Sequence, residues 1–352
     1  MNEVKLAIDN REVAVPQNFT ILQAADRVGI RIPSLCHLKE LTPCSACRIC
    51  LVEVEGARNL VTACSYPVTA GMKVKTKSER VVAARRLVLE LILSDHPLDC
   101  MTCEKAGSCS LQDLAYEMGL TGSRIKGEQH HYPVDLSNPF IVRDFNKCVL
   151  CERCLRICNE IQGTMALDYA HRGFNTKVAV PYHRGLKESD CVFCGQCVSV
   201  CPVGALTERS RMGKGREWEF QKVKTICSYC GVGCTLVLNV KDREIVRVTS
   251  DRGSGVNSGN MCVKGRFGFD YVHSPDRLTE PLVKEGENFR PASWDEALDR
   301  VAQGLKKVKA EHGPDAVGVL VSAKCTNEEN YLLQKMARAA LGTNNVDHCA
   351  RL

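Results

Sequence analysis

No run in the 352 residues approaches the roughly 18 consecutive apolar residues a membrane-spanning helix needs, the longest candidate being residues 87–93. Membrane insertion is therefore not expected. The opening Met-Asn-Glu-Val-Lys lacks the charged and apolar runs of a secretory signal, which predicts a cytoplasmic chain with reduced thiols. Excess charge of one sign is also scarce: 47 Lys plus Arg against 41 Asp plus Glu leave a formal +6. Taken alone, that would point at most to a mildly basic partner surface such as one for nucleic acid.

Cysteine is what the chain has in quantity. There are 22, of which 19 fall into five spaced clusters, and a histidine completes the second cluster. Disulfides are the bland alternative, but a chain this long does not need staples, and closely spaced thiols kept reduced are metal ligands. If the five sites hold oxidised iron–sulfur cores, the net charge becomes about −3, because each four-thiolate site contributes about −2 and a three-thiolate site about −1. The case for a nucleic-acid partner then lapses. Length alone predicts two or three domains. Metal sites can replace hydrophobic core, and five modules of an α+β multidomain protein are expected.

Residues 1–77 form the first module. Val4, Leu6 and Ile8 alternate with polar or small residues, Asn10 interrupts, and Val13 and Val15 resume, which predicts a hairpin; helical spacing follows over residues 21–28. Into this context fall Cys36, Cys47-x2-Cys50 and Cys64, a loop carrying three thiolates with a fourth arriving from further away, as a two-iron cluster requires. The pattern resembles the β-grasp [2Fe–2S] domain at the front of NADH-linked hydrogenases, formate dehydrogenases and respiratory complex I. Cys44 is a spare thiol on that pattern, able to compete as a ligand.

The second module is residues 78–125. A helix is expected from a Ser78 cap, with Val81, Val82, Leu87, Val88, Leu91 and Ile92 in helical period, ending before Pro97. Just beyond it stands His96-x3-Cys100-x2-Cys103-x5-Cys109. One imidazole and three thiolates can complete a [4Fe–4S] core at one less negative charge. The run His-Pro-Leu-Asp-Cys-Met-Thr-Cys-Glu-Lys-Ala-Gly-Ser-Cys resembles the His-ligated cluster segment of the same enzyme group, against the ordinary reading of His96 as a surface or core residue. His130 and His131 are expected to be solvated.

Residues 139–210 carry an internal repeat, Cys148-x2-Cys151-x2-Cys154-x3-Cys158 and Cys191-x2-Cys194-x2-Cys197-x3-Cys201-Pro202. This is the bacterial two-cluster ferredoxin run, in which the fourth cysteine of each run ligates the other cluster. One site is then Cys148, Cys151, Cys154 and Cys201, and the other is Cys191, Cys194, Cys197 and Cys158. A zinc ribbon also pairs C-x2-C units but takes only four ligands and leaves the third cysteine of each run unexplained. Residues 204–218 read as a polar, glycine-bearing linker.

The fourth module, residues 219–275, reads Cys227-x2-Cys230-x3-Cys234 and then Cys262, on a small antiparallel sheet made by Leu236, Leu238 and Val240, a turn at residues 241–243, and Ile245, Val246 and Val248. Its ligand chemistry is that of another [4Fe–4S] site. The spacing and the Cys-Val-Lys-Gly tail resemble the N-terminal cluster domain of molybdopterin oxidoreductases, which would set Lys264 between cluster and pterin, where a cation favours electron transfer. An ordinary solvated lysine is the alternative. Residues 276–352 begin an α/β domain: Ser293-x2-Glu296 and Thr326-x2-Glu329 open two helices around one apolar strand within residues 316–322. A single strand cannot complete a sheet. Cys325 and Cys349 lie outside the five clusters.

From residue 226 to 351, the text, including Gly-Arg-Phe-Gly-Phe-Asp-Tyr and Gly-Thr-Asn-Asn-Val-Asp-His-Cys-Ala-Arg-Leu, resembles the catalytic subunit of cytoplasmic, NAD-linked formate dehydrogenase. That resemblance implies formate/CO2 interconversion at a bis-molybdopterin guanine dinucleotide carrying Mo or W, one [2Fe–2S] and four [4Fe–4S] clusters as the relay, and an NAD- and flavin-binding iron–sulfur subunit, a ferredoxin or a hydrogenase as partner. In that family the residue directly after Cys-Ala-Arg-Leu is the selenocysteine or cysteine that ligates the metal. The 352-residue chain is accordingly expected to be inactive toward formate in a methyl-viologen assay, with a selenocysteine codon expected after Leu352. The rival readings are a stand-alone electron-transfer polypeptide, an iron-only hydrogenase subunit and a complex I subunit. The hydrogenase reading lacks its cysteine motifs in residues 227–262, and the complex I subunit normally lacks the full ferredoxin repeat.

Overall fold

A computed structural model describes residues 3–348; Cys349 and the residues after it, on which the terminal motif falls, lie outside the described residues. The chain divides into two compact units, one ending at Phe220 and the other beginning at Gln221.

The first unit opens with the expected hairpin. β1 (Glu3–Ile8) pairs antiparallel with β2 (Arg11–Pro16), Ile8 facing Arg11. Asp9 and Asn10 carry the turn in left-handed backbone at φ 46° and 66°, which is the geometry that matches strand twist and which Asn and Asp tolerate best. α1 (Ile21–Arg27) starts at a full capping box between Thr20 and Gln23. β3 (Leu51–Val54), β4 (Val61–Thr62) and β5 (Lys73–Lys75) complete a five-stranded sheet in the order β2-β1-β5-β3-β4, with β5 parallel to β1. Leu6, Ile8, Val52 and Val74 from the sheet and Ile21, Leu22 and Ala25 from α1 share one core.

α2 (Glu79–Asp95) begins at the Ser78 cap and gives way at His96, whose extended backbone precedes Pro97. α3 (Ser110–Glu117) follows the second cysteine group. In the ferredoxin repeat, β6 (Ile141–Arg143) pairs with a strand from far along the chain, while α4 (Arg153–Arg156), continued by a wider turn over Ile157–Gln162, leads to the hairpin of β7 (Asp168–Ala170) and β8 (Lys177–Ala179). α5 (Gln196–Val200) and β9 (Leu206–Glu208) close the repeat, and β9 is the antiparallel partner of β6.

Two expectations fail here. The expected linker over residues 204–218 is not one at its start: Ala205, Leu206, Thr207 and Glu208 are buried in β9 and beside it, and Arg211 is 1% exposed with Glu217 at 3.4 Å, while most of the residues from 209 to 218 are exposed. Thr207, Glu208 and Arg211 are interior because they are paired, which composition does not register. His130 is not solvated either. Its Nδ1 lies 2.6 Å from Asp95 Oδ2 and its Nε2 2.8 Å from the Phe174 carbonyl, and its ring stacks on Phe174 at 4.0 Å. His131 is exposed as expected.

The second unit starts with a three-stranded antiparallel sheet of β10 (Gln221–Ile226), β11 (Thr235–Lys241) and β12 (Glu244–Thr249). β10 is an edge strand whose residues are all exposed, with lysines at 222 and 224 of the kind that discourage edge pairing. α6 (Val263–Phe267) follows Cys262, and β13 (Leu282–Glu285) and β14 (Asn288–Pro291) form a hairpin. α7 (Trp294–His312) takes its cap from Ser293, but only half of the expected box is present, because Glu296 turns instead to Arg290 at 2.5 Å. β15 (Val319–Val321), α8 (Asn327–Met336, with the full Thr326–Glu329 box) and β16 (Val346–His348) form a strand–helix–strand unit in which the strands are parallel. The single strand expected from periodicity has a partner three residues long, too short for periodicity to reveal.

Candidate metal centres

The first group is built on the β3–β4 pair. Cys50 directly precedes β3 and its carbonyl accepts from Ala63 N–H at 3.0 Å, which sets Cys64 beside it; Cys36 and Cys47 arrive on the preceding loop, with Leu35 N–H donating to Cys47 Sγ at 3.3 Å. Ser45 and Arg48, each at φ 56°, coil that loop around the sulfurs. All four cysteines are buried. Their thiols touch: Cys36 meets Cys47 and Cys64, and Cys64 meets Cys50. The Cys36 contact draws the Cys47 thiol down to about 6 although burial opposes it. Cys44 reaches Cys36, and its Sγ lies 4.0 Å from the Cys151 carbonyl.

In the second group, His96 and Cys109 sit at the facing ends of α2 and α3. Together with Cys100, Leu93, Leu98 and Leu111 they line a cavity of about 240 Å³. The His96 Nδ1 is buried and has no hydrogen-bond partner, and burial lowers its pKa, favouring the neutral imidazole that can bind a metal. Cys103 turns toward the ferredoxin repeat, where a Cβ placed on Gly204 would meet its Sγ at 2.7 Å. Lys147, bound to Asp99 at 2.8 Å and Asp144 at 3.3 Å, lies in the field of Cys103.

The two ferredoxin runs fold alike. Leu150 and Glu152 in the first, and Phe193 and Gly195 in the second, occupy equivalent positions and all have positive φ, so the two cysteine loops follow the same backbone path. Cys201 lines one cavity with Cys148, Cys151 and Cys154. Cys197 also borders it, but the thiols acting on Cys197 are Cys194, Cys191 and Cys158. Burial pushes Cys148 up to about 11 and Cys151 up to about 12. Thiols so buried cannot ionise together without a cation among them, and an iron–sulfur core supplies that charge.

In the second unit, Cys227 N–H donates to Cys234 O at 2.9 Å, closing the loop that holds Cys230, and Cys262 stands at the start of α6. Gly265, on α6, faces Cys227: a Cβ placed there would sit in ordinary van der Waals contact with its Sγ, at 3.7 Å. The four thiols lie within each other's fields, and burial raises Cys227 and Cys234. Lys264 lies over the Tyr229 ring, 5.9 Å from its centroid, and lines a cavity of about 210 Å³ with Cys227. Cys325, on the β15–α8 connection, lies close to the Cys230 loop: Gly231 N–H donates to the Ala323 carbonyl at 3.2 Å, and a Cβ on Gly231 would lie 3.5 Å from the Cys325 carbonyl.

Among the described residues no three His, Cys, Asp or Glu side chains gather tightly enough for a single metal ion. The spread of thiols, the full or partial burial of all of them but Cys262, and the orphaned His96 nitrogen nevertheless fit polynuclear iron–sulfur cores. Sequence reasoning missed two cations next to ligand cysteines, Lys147 just ahead of Cys148 and Arg153 beside Cys154. The signal was available as Lys-Cys and Arg-Cys neighbours, though nothing local says which way they face.

Five families match in succession along the chain: a 2Fe-2S iron-sulfur cluster binding domain over residues 1–79, the NADH-ubiquinone oxidoreductase-G iron-sulfur binding region over 85–124, the ferredoxin-like domain of NADH-quinone oxidoreductase subunit 3 over 138–207, the molybdopterin oxidoreductase Fe4S4 domain over 220–274, and molybdopterin oxidoreductase over 277–352. The class is thus an oxidoreductase in which [2Fe–2S] and [4Fe–4S] modules lead into a molybdopterin domain. Relatives include the NADPH-Fe(3+) oxidoreductase subunit alpha of Geobacter sulfurreducens, 41% identical over 99% of this chain and 40% of its own, and an NADH-quinone oxidoreductase-G protein of Rhizobium meliloti, 40% identical over 99% and 40%. A Staphylococcus aureus protein provisionally named a formate dehydrogenase is 33% identical over 98% of this chain and 39% of its own. A chain of the NAD+-reducing [NiFe]-hydrogenase superposes with a TM-score of 0.57 at 30% identity, covering 60% of this chain and 90% of that one. The chain belongs to the NADH-quinone oxidoreductase-G-like family. It spans about 40% of the length of the curated relatives it matches. Among the described residues, no helix is long and apolar enough to cross a membrane.

Proposed function

We propose that this chain is the electron-relay part of a formate dehydrogenase that couples formate/CO2 interconversion to NAD through a flavin-binding iron–sulfur partner. The observation that carries the reading is the succession of four cysteine groups ahead of the Cys227, Cys230, Cys234 and Cys262 group, which is followed by a segment, residues 277–352, that matches molybdopterin oxidoreductase. A bound bis-molybdopterin guanine dinucleotide with Mo or W would supply the two-electron chemistry at formate.

The roles of the chain's own residues follow from their chemistry. Cys36, Cys47, Cys50 and Cys64 would hold the [2Fe–2S] core, and His96, Cys100, Cys103 and Cys109 a [4Fe–4S] core. The ferredoxin runs would hold two more with their fourth cysteines exchanged, and the Cys227 group the last. Burial of Cys36, Cys47, Cys50 and Cys64 would keep water from the [2Fe–2S] core, whereas Cys262 leaves the last core open on one side. Lys264, fixed over Tyr229 beside Cys227, would place a cation on the side from which electrons arrive.

A second reading is favoured by one observation: identity is 41% to the NADPH-Fe(3+) oxidoreductase subunit and 33% to the provisionally named formate dehydrogenase. There the relay would serve NAD(P)H oxidation, with no formate chemistry. The two separate in the holoenzyme purified anaerobically from its source. Formate-dependent reduction of methyl viologen is expected on the first reading; NAD(P)H-dependent reduction with no response to formate would replace it by the second.

A further inference from the structure

Arg153 lies between two of the cysteine groups. It stands on α4 inside the first ferredoxin run, next to Cys154, and its Nη2 donates to the His37 carbonyl at 2.8 Å, one residue past Cys36. Its neighbour on the same helix, Arg156, donates to the Cys36 carbonyl at 2.5 Å, and Glu160 accepts from Thr42 N–H at 2.8 Å. These contacts clamp the loop carrying Cys36 onto the helix that follows Cys151. The Nε of Arg153 is buried and has no partner, so hydrogen bonding to His37 uses only part of the group. The thiols whose charge it feels are Cys151, Cys36, Cys47 and Cys201, two from each of the flanking sites.

We infer that Arg153 is a shared electrostatic positioning residue: one fixed guanidinium that raises the reduction potentials of both the Cys36/Cys47/Cys50/Cys64 centre and the Cys148/Cys151/Cys154/Cys201 centre. The inference rests on the proposal that these groups hold iron–sulfur cores. Each core accepts one electron, so an all-thiolate site passes from a total charge of about −2 to about −3. A cation held near both sites favours the reduced form of each, and in a buried setting its field is weakly screened. Arg suits this place because its guanidinium stays charged even when partly desolvated.

The test is a potentiometric titration, followed by electron paramagnetic resonance, of the wild-type chain, Arg153→Gln and Arg153→Lys, each isolated anaerobically with its clusters. In Arg153→Gln the reduced-to-oxidised ratio at a fixed potential should fall about tenfold at both centres, a downward shift of about 59 mV for a one-electron couple. The His96 centre, where Arg153 is not among the acting charges, should stay within a third of that shift. Arg153→Lys should keep both potentials near wild type. Unmoved potentials in Arg153→Gln, a shift at only one centre, or equal shifts in both variants would overturn the inference. Were Arg153→Gln to lose these centres, Arg153→Lys decides: intact signals at wild-type potentials support the charge, and loss there too shows a packing role only. Absence of iron–sulfur signals from the wild-type chain would sink the cluster assignment itself.

Discussion

Asp135 and Arg143 are joined twice, through the backbone and through the side chains. Asp135 N–H donates to Arg143 O at 2.9 Å and Arg143 N–H returns to Asp135 O at 3.1 Å, while Arg143 Nε meets Asp135 Oδ2 at 2.8 Å. Arg143 is 6% exposed and borders the cavity of Cys148, Cys151, Cys154 and Cys201. The pair thus ties the approach segment to the edge of β6 beside a candidate cluster. Asp135→Asn leaves a buried guanidinium without its counter-charge and should cost about 1–3 kcal/mol of stability at neutral pH.

The pH dependence of that pair has a definite sign. Burial alone would raise the Asp135 carboxyl, but hydrogen bonds from Ser137 and Arg143 outweigh it and hold the carboxyl below the usual aspartate range. Its contribution is full above the ordinary value of about 3.9 and is lost as pH falls below that value through the folded one. The difference in melting temperature between wild type and Asp135→Asn should be steady from pH 7 to 5 and shrink as the pH drops toward 3. A difference that grows on acidification would contradict this.

His96 offers an unpartnered buried nitrogen to the cavity it shares with Cys100 and Cys109. His96→Ala should lower bound iron by about four atoms per chain. His96→Cys should restore the iron and lower the potential of that centre, because a thiolate adds a negative charge. Iron analysis with redox titration measures both, and full iron retention in the alanine variant would remove the ligand role.

The exchanged fourth cysteines make a cross-prediction. Cys201→Ser should disturb the signal of the Cys148/Cys151/Cys154 centre, and Cys158→Ser that of the Cys191/Cys194/Cys197 centre. Each serine sits on the other run, so disturbance confined to its own run, seen by Mössbauer or paramagnetic resonance spectra, would show uncrossed ligation.

Gly204→Ala separates a free from a metal-bound thiol. The added Cβ would meet Cys103 Sγ at 2.7 Å. A free thiol can rotate away at little cost, whereas one bonded to iron cannot, and overpacking then costs about 1–3 kcal/mol. The variant should fold normally without metal yet yield a perturbed or substoichiometric His96 centre, as judged by iron content and spectra.

The legible parts of this protein were local. Ser78, Ser293 and the Thr326–Glu329 pair announce helix starts because a cap is set by residues one turn apart, and the Asp9–Asn10 turn is equally self-contained. The cysteine runs were legible because ligand spacing is dictated by the size of a cluster. Hidden features depend on distant partners: β9 is a strand because β6 reaches it from residues 141–143, and Arg211 is interior with Glu217 and the Phe220 ring against it. His130 looked solvated because neither Asp95 nor Phe174 is near it in sequence. Arg153 lay in plain view next to Cys154, but its contact with the Cys36 loop is a tertiary fact.

The central claim, that five groups of thiols with one imidazole hold a line of iron–sulfur cores, is most directly tested by counting iron and acid-labile sulfide in the anaerobically purified, fully reconstituted chain. The account predicts about 18 iron and about 18 sulfide per chain, for one two-iron and four four-iron centres. Zinc in place of iron, or iron saturating near about 8 per chain, would contradict it.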